Sequence, residues 1–310
     1  MGLTPDPLGA ADHRARGVIW RQAARDLLGP ITAPLAVAPG AKPAWSDVVR
    51  IDERRVLRAD QCLAQPAADG DDYAETTRNA RRRTGLAVLG VMRSSPGLDP
   101  LTAFEEVMAH RTHWFAEPLV AWIDGLPPGG LAALAQEAVG YAVALTSWVP
   151  PSRMGDVAIA GPSDAYRWDL PERAVRIQGR CDAVSPRRGL PPSRRLLVTA
   201  NHLAAVDVVA GHAALAYTLA TGSVPGRVTV LAPASGKQAV AVDDGLLEAA
   251  LGRVGAAAHG AVAARFGPPA TTSPGRWCRS CSRLDECDDG RADVDARPIR
   301  IGGLRPDPPG

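Results

Sequence analysis

Trp277-Cys278-Arg279-Ser280-Cys281, five further residues and then Cys287 place three of the chain's five cysteines within ten residues, at the spacing C-x2-C-x5-C. Two thiolates three apart can grip one metal centre from a single turn, and the third can close over it after a short loop. A fourth ligand then has to come from elsewhere, and the candidate is Cys62, more than two hundred residues upstream. A centre built this way staples the two ends of a domain together, and no other feature of the sequence constrains the fold as much. Cys181 stands apart. It falls on the apolar side of an alternating stretch and reads as a buried small side chain, not a ligand.

Thiolates select zinc or iron–sulfur clusters among the common biological metals. Zinc sites usually show two Cys knuckles or Cys/His pairs, whereas here there is one pair plus a lone cysteine, and the nearest histidine is His259. Three clustered cysteines and one distant one suit a [4Fe-4S] cluster, whose corners can be reached from separate segments. Zinc and unligated thiols stay open as alternatives. Residues 1–12 lack the basic start and apolar run of an export signal, so a disulfide framework is not expected and a cytoplasmic setting is. The most apolar window, 131–149, carries Gln136 and Glu137 near its middle, which fits a core helix and no membrane partner.

The 310 residues are 46% apolar, enough for a real core in one or two domains. Net charge is only +2, and with two lysines, Lys42 and Lys237, almost all positive charge is arginine; any nucleic-acid surface must be local. Prolines break up 1–45, which reads as an N-terminal extension with one helix-like piece at 18–28. The main domain covers 46–288 with a helical insertion at about 100–150, and 289–310 is expected to be a flexible tail. Within the insertion, Leu101, Phe104, Val107 and Met108 recur at helical steps, as do Leu131, Leu134, Ala138, Tyr141 and Leu145. Residues 174–184 alternate as a half-buried strand, with Val175, Ile177, Gly179, Cys181 and Ala183 on one side and Arg180 and Asp182 on the other. A second strand follows at 196–199, then a helix over 204–221 stopped by Gly222, a hairpin around Ser235-Gly236, and a helix capped by Asp244. Arg78, Arg81 and Arg82 share a helical face, and Arg187, Arg188, Arg194 and Arg195 crowd a connector. Each group is either an ordinary solvated surface or a phosphate-contacting patch.

A distant cysteine, an α/β sheet region and C-x2-C-x5-C together resemble the iron–sulfur branch of the PD-(D/E)XK nucleases, which includes RecB-like exonucleases of CRISPR adaptation and the B subunit of AddAB. The matching elements are Cys62, Gly179-Arg180-Cys181-Asp182, the strand at 196–199, the helix reaching Tyr217 and the approach Arg265-Phe266-Gly267-Pro268. The resemblance implies a restriction-endonuclease-like central mixed sheet flanked by helices, with an N-terminal helical region. It also implies a [4Fe-4S] clamp on Cys62, Cys278, Cys281 and Cys287, with DNA as the partner and a helicase or nuclease protein beside it.

That family binds Mg2+ or Mn2+ with the aspartate of a G-x-x-D strand and a D/E-x-K motif on the next, the lysine orienting water. Asp182 stands at the first position as a remnant metal ligand, but the second carboxylate falls on Thr199 and the lysine on Asn201. The helix glutamine is Ala213, and the upstream histidine after Gly85 is Leu89. The expectation is therefore a DNA-binding scaffold with impaired catalysis. One alternative is an active nuclease with relocated residues, drawn from Asp182, Asp207, His202 and His212. A third reading is similarity to the WhiB-like redox regulators, which share the triad; here, however, Asp288-Asp289-Gly290 follows it in place of their Gly-Trp-Gly turn.

Overall fold

Alternation along 174–184 becomes extended chain because every second side chain can be buried while its neighbours stay at the surface. The computed structural model describes residues 10–38, 43–44, 47–62, 77–148, 158–159, 165–170, 172–186, 194–200, 205–232, 236–267, 272–281 and 284–297. Ten α-helices and eight strands are present among them, an α/β architecture with two mixed sheets. The stretch expected as one strand is two: β4 (Val175–Gly179) and β5 (Ala183–Pro186), separated by a bend at 180–182. β4 lies between β1 (Val49–Ile51), parallel to it, and β3 (Tyr166–Asp169), antiparallel. β5 instead joins a five-stranded sheet in the order β2 (Ala158–Ile159), β5, β6 (Arg194–Thr199), β7 (Arg227–Ala232), β8 (Gly236–Ala241). One chain segment thus passes from one sheet to the other, and Asp182 sits at the crossing.

β6 and β7 are parallel, and the crossover between them is α8 (Val206–Thr221). Gly222 closes that helix in the left-handed region, at φ 73°, where a side chain would be strained. β7 and β8 form the expected antiparallel hairpin. Alternation sorts the five-stranded sheet into two apolar interiors. Val184, Leu196, Val198, Val228 and Val230 face a core shared with α1 (Ala10–Ile31), α2 (Glu53–Gln61), α8 and α9 (Asp244–Phe266). Ala183, Leu197 and Leu231 face a second core built by α3 (Thr77–Ser94), α4 (Pro100–Ala109), α6 (Glu117–Asp124) and α7 (Pro128–Trp148). A short helix, α5 (Arg111–Trp114), links α4 to α6. Each fully buried leucine on these faces contributes roughly 1.5–3 kcal/mol, so the helical insertion is one whole side of the molecule and not an appendage. No helix among the described residues is long and apolar enough to cross a membrane.

Three expectations need correction. The N-terminal region is more than a proline-broken extension: α1 buries Ala24 and Leu28 in the first core. Its Gly17 lies so close to the α8 terminus that an added Cβ would fall 2.2 Å from the Gly222 carbonyl oxygen. Gly17→Ala should therefore destabilise the protein by about 1–3 kcal/mol, read as a lower urea midpoint at unchanged slope. The α9 cap is Asp243, which accepts from the Leu246 backbone N–H; Asp244 is the first helical residue and binds Arg16 and Trp20 of α1. Finally, the acidic segment after Cys287 begins as a helix, α10 (Asp288–Ala296), while residues 298–310 lie outside the described part.

Candidate functional site

Where β4 ends and β5 begins, Asp182 turns inward instead of sharing the surface with Arg180. Its backbone N–H donates to the Leu197 carbonyl at 2.7 Å, and its residue is 1% exposed while Arg180 is exposed. The reason for the inward turn is its partners. Arg82, reaching down from α3, donates its Nε–H to Asp182 Oδ1 at 2.5 Å. Thr199, at the end of β6, donates its backbone N–H at 2.6 Å and its hydroxyl at 2.9 Å to Oδ2. Because the single Thr199 hydroxyl proton goes to the aspartate, the Tyr141 hydroxyl of α7, 2.9 Å away, donates to Thr199. The result is a directed chain, Tyr141 to Thr199 to Asp182, closed by Arg82.

Electrostatics follow from this geometry. Burial opposes charge on Arg82, but the adjacent Asp182 more than compensates, and its pKa is raised. Burial, and then Asp182, push the Tyr141 hydroxyl well above its usual range, so it remains a donor. Burial also drives the Cys181 thiol up to about 12. Its sulfur lies 3.1 Å from the Ala183 carbonyl oxygen and 3.3 Å from that of Leu197, so it is a protonated donor and a structural residue, as the sequence suggests.

One participant has no signature in the sequence. Glu53 opens α2 directly after Asp52, whose side chain caps that helix by accepting the Arg55 N–H. Parallel pairing of Ile51 with Ile177 brings residue 53 level with the end of β4, beside the bend. Glu53 keeps partial solvent contact, yet protein crowds its carboxyl on most sides. Burial first, then the charges of Asp182 and Asp52, raise its pKa to about 7, against the pull of Arg180 and Arg82. An acid in a first helical turn ordinarily serves only the helix dipole, so nothing local marks it.

The other expected residues disperse. Asp207 is exposed in the first turn of α8, and His202 and Asn201 lie outside the described residues. His212 is buried; desolvation lowers its pKa, and its Nε2–H donates to the Gln178 carbonyl at 2.9 Å. Leu89, Ala213 and Tyr217 are core residues, and Lys237 is exposed on β8. Among the arginines, Arg81 pairs with Glu137 at 3.2 Å, and Arg82 is turned inward onto Asp182 and away from solvent. Arg194 is exposed at the start of β6 beside Tyr217, and Arg195 is half-buried. The side chain of Arg78 and residues Arg187 and Arg188 lie outside the described part.

At the cysteine end, Cys62 terminates α2 and its sulfur accepts the backbone N–H of Ser273 at 3.4 Å. That contact brings the upstream cysteine to the loop that delivers the triad. Cys278 accepts from the Gly275 N–H at 3.3 Å, and Cys287 caps α10 by accepting from Gly290 at 3.3 Å. Cys281 is half-buried, and none of the five cysteines is in a disulfide. Among the described residues no three His, Cys, Asp or Glu side chains converge closely enough to hold a metal ion. The sulfurs of Cys62, Cys278 and Cys287 are placed as acceptors of backbone N–H groups, whereas that of Cys181 is placed as a donor. The sequence matches no family model and no curated protein.

Proposed function

We propose that this chain is a PD-(D/E)XK-like scaffold that binds DNA without cutting it, and that a [4Fe-4S] cluster on Cys62, Cys278, Cys281 and Cys287 clamps its termini. The observation that carries the reading is the state of Asp182. A hydrolytic site of this family needs an aspartate open to a metal and a second carboxylate beside it. In this chain the residue at the second position, Thr199, hydrogen-bonds the aspartate itself, and Arg82 supplies the positive charge a cation would bring. The order of bent strand, β6, α8 crossover and parallel β7 supports the same reading. The cluster would serve as a structural tie between α2 and the terminal segment. DNA contacts would come from Arg194 and Arg195 and from the arginines flanking them in sequence, with guanidinium forks on phosphates.

Anaerobic purification with iron, sulfide and zinc analysis tests the clamp. About four irons per chain are expected, lost together with solubility in Cys62→Ser; stoichiometric zinc, or full iron in that variant, overturns it. DNA affinity should fall steeply with salt, and a flat dependence removes the DNA part. A second reading, an active nuclease with a relocated acid, is favoured by Glu53 alone, whose carboxyl has a raised pKa beside Asp182. Cleavage of linear DNA in Mn2+ that is abolished by both Glu53→Gln and Asp182→Asn would establish it over the first.

A further inference from the structure

We propose that the cavity between α3, α4 and α5 binds a small organic cation, an ammonium or guanidinium group carried on an apolar stem. α3 ends at Ser94, and the chain turns back into α4 through Gly97, at a φ of 98° that glycine adopts without strain. The Leu98 N–H closes this turn on the Ser95 carbonyl at 3.1 Å. α5 then lays Trp114 against α3, where a Cβ on Gly90 would fall 3.3 Å from the indole ring. The three helices enclose about 400 Å³, within the range of small-molecule sites. Neither Asp182 and its partners nor the cysteines line this space, so the site stands whether or not the cluster and DNA readings hold.

The lining selects the ligand's chemistry. Val91, Leu98 and Trp114 supply its apolar part, Val91 buried and the other two half-buried. The polar part is Ser94, Ser95, Thr102 and Glu106, without an arginine or lysine. Two of these hydroxyls have already given up their protons: Ser94 donates to the Gly90 carbonyl at 3.1 Å, and Thr102 donates to the Asp99 carboxylate. Their oxygens can therefore only accept from a ligand, and the Glu106 carboxylate is likewise an acceptor when ionised. His110 Nδ1 lies 3.1 Å from Glu106 Oε1, on the helical turn that follows. Backbone fields add to the preference. The negative end of the α3 dipole falls at Ser94, and the positive end of α4 is offset by Asp99, which accepts the Leu101 and Thr102 N–H groups at 3.0 and 3.1 Å. An indole wall completes a cation site, because its π face attracts ammonium and guanidinium groups.

The test is calorimetric titration with phenethylammonium and its neutral isostere 2-phenylethanol, alongside the indole N–H signal of Trp114 in 15N-tryptophan-labelled protein, assigned with Trp114→Phe. The ammonium should bind about tenfold more tightly than the alcohol, the margin of a charge-assisted hydrogen bond, and should shift the Trp114 signal. Glu106 is exposed, so Glu106→Gln keeps the fold; it should abolish the preference while leaving alcohol binding unchanged. A blocked Gly-Gly-Arg-Gly-Gly peptide identifies the source of the cation. Binding tighter than that of butylguanidinium assigns the site to an arginine of a partner protein, and weaker binding assigns it to a free small molecule. Equal affinities for ammonium and alcohol, a preference that survives Glu106→Gln, or an unmoved Trp114 signal at millimolar ammonium overturns the site.

Discussion

Replacing Arg82 by methionine should cost the protein about 3–5 kcal/mol of stability, the range for removing one partner of a buried ion pair. The charge left behind is Asp182, 1% exposed, at the crossing between the two sheets. Thr199 would still donate twice to Oδ2, but Oδ1 would lose the guanidinium bonded to it at 2.5 Å. Size alone does not account for the loss, since methionine retains most of the arginine stem. The decisive comparison is therefore the double variant. Arg82→Met with Asp182→Asn keeps an amide oxygen for the Thr199 N–H and removes the orphaned charge, so it should recover most of the loss. A chemical-denaturation cycle reads the coupling, expected at about 2–3 kcal/mol. Additive single effects would mean that Arg82 stabilises only by packing, and the view of it as an internal counter-charge would fall.

Such a pair is not an efficient source of net stability, because desolvating both ions offsets most of their attraction. What it does provide is position. Arg82 and Tyr141 belong to the helical side, whereas Asp182 and Thr199 belong to the sheet, so their bonds fix α3 and α7 over the strand ends. On the nuclease-like reading proposed above, that ground would have to be free for a cation, and the same four side chains that lock the two layers together occupy it.

How much of this was readable beforehand depended on whether the governing interactions are local. Helical and strand periods located α4, α7, β6, α8, the β7–β8 hairpin and α9, because burial of one face repeats along the chain itself. The burial of Cys181 follows the same alternation from Val175 and Ile177 of β4, although Ala183, expected on that side too, faces the second core. The inward turn of Asp182 does not follow it. Strict alternation puts it beside Arg180, and only a bend at 180–182, set by pairing with a different sheet, rotates it toward Arg82, a hundred residues away. Asp243 and Asp244 are both aspartates, so only geometry separates the capping position from its neighbour. Glu53 has no local mark, because the ordinary function of an acid in a first helical turn explains it fully until β1 lies beside β4.

Glu53 carries the second large effect, and its sign can be fixed in advance. In the unfolded chain this carboxyl titrates near 4.5, and in the folded protein near 7, raised by burial and by Asp182 and Asp52. Between those values the unfolded state holds fewer protons than the folded one, so stability falls as pH rises. Below about 4.5 both states are protonated and the penalty vanishes; above about 7 both are ionised and it is constant. At 1.36 kcal/mol per pH unit the full penalty approaches about 3 kcal/mol, and the partial exposure of Glu53 brings it to roughly 1–2 kcal/mol. Glu53→Gln should therefore match wild type at pH 4 and exceed it by that amount at pH 8. Unfolding midpoints measured from pH 4 to 8 give the difference directly. In Asp182→Asn, with one opposing charge removed, the pH at which the wild-type penalty sets in should move back toward the ordinary carboxylate range, since Asp182 is the largest charge acting on Glu53. A constant gain for Glu53→Gln at every pH would mean that the glutamine merely packs or hydrogen-bonds better. In that case Glu53 is an ordinary helix-opening acid, and the case for a relocated catalytic carboxylate beside Asp182 disappears with it.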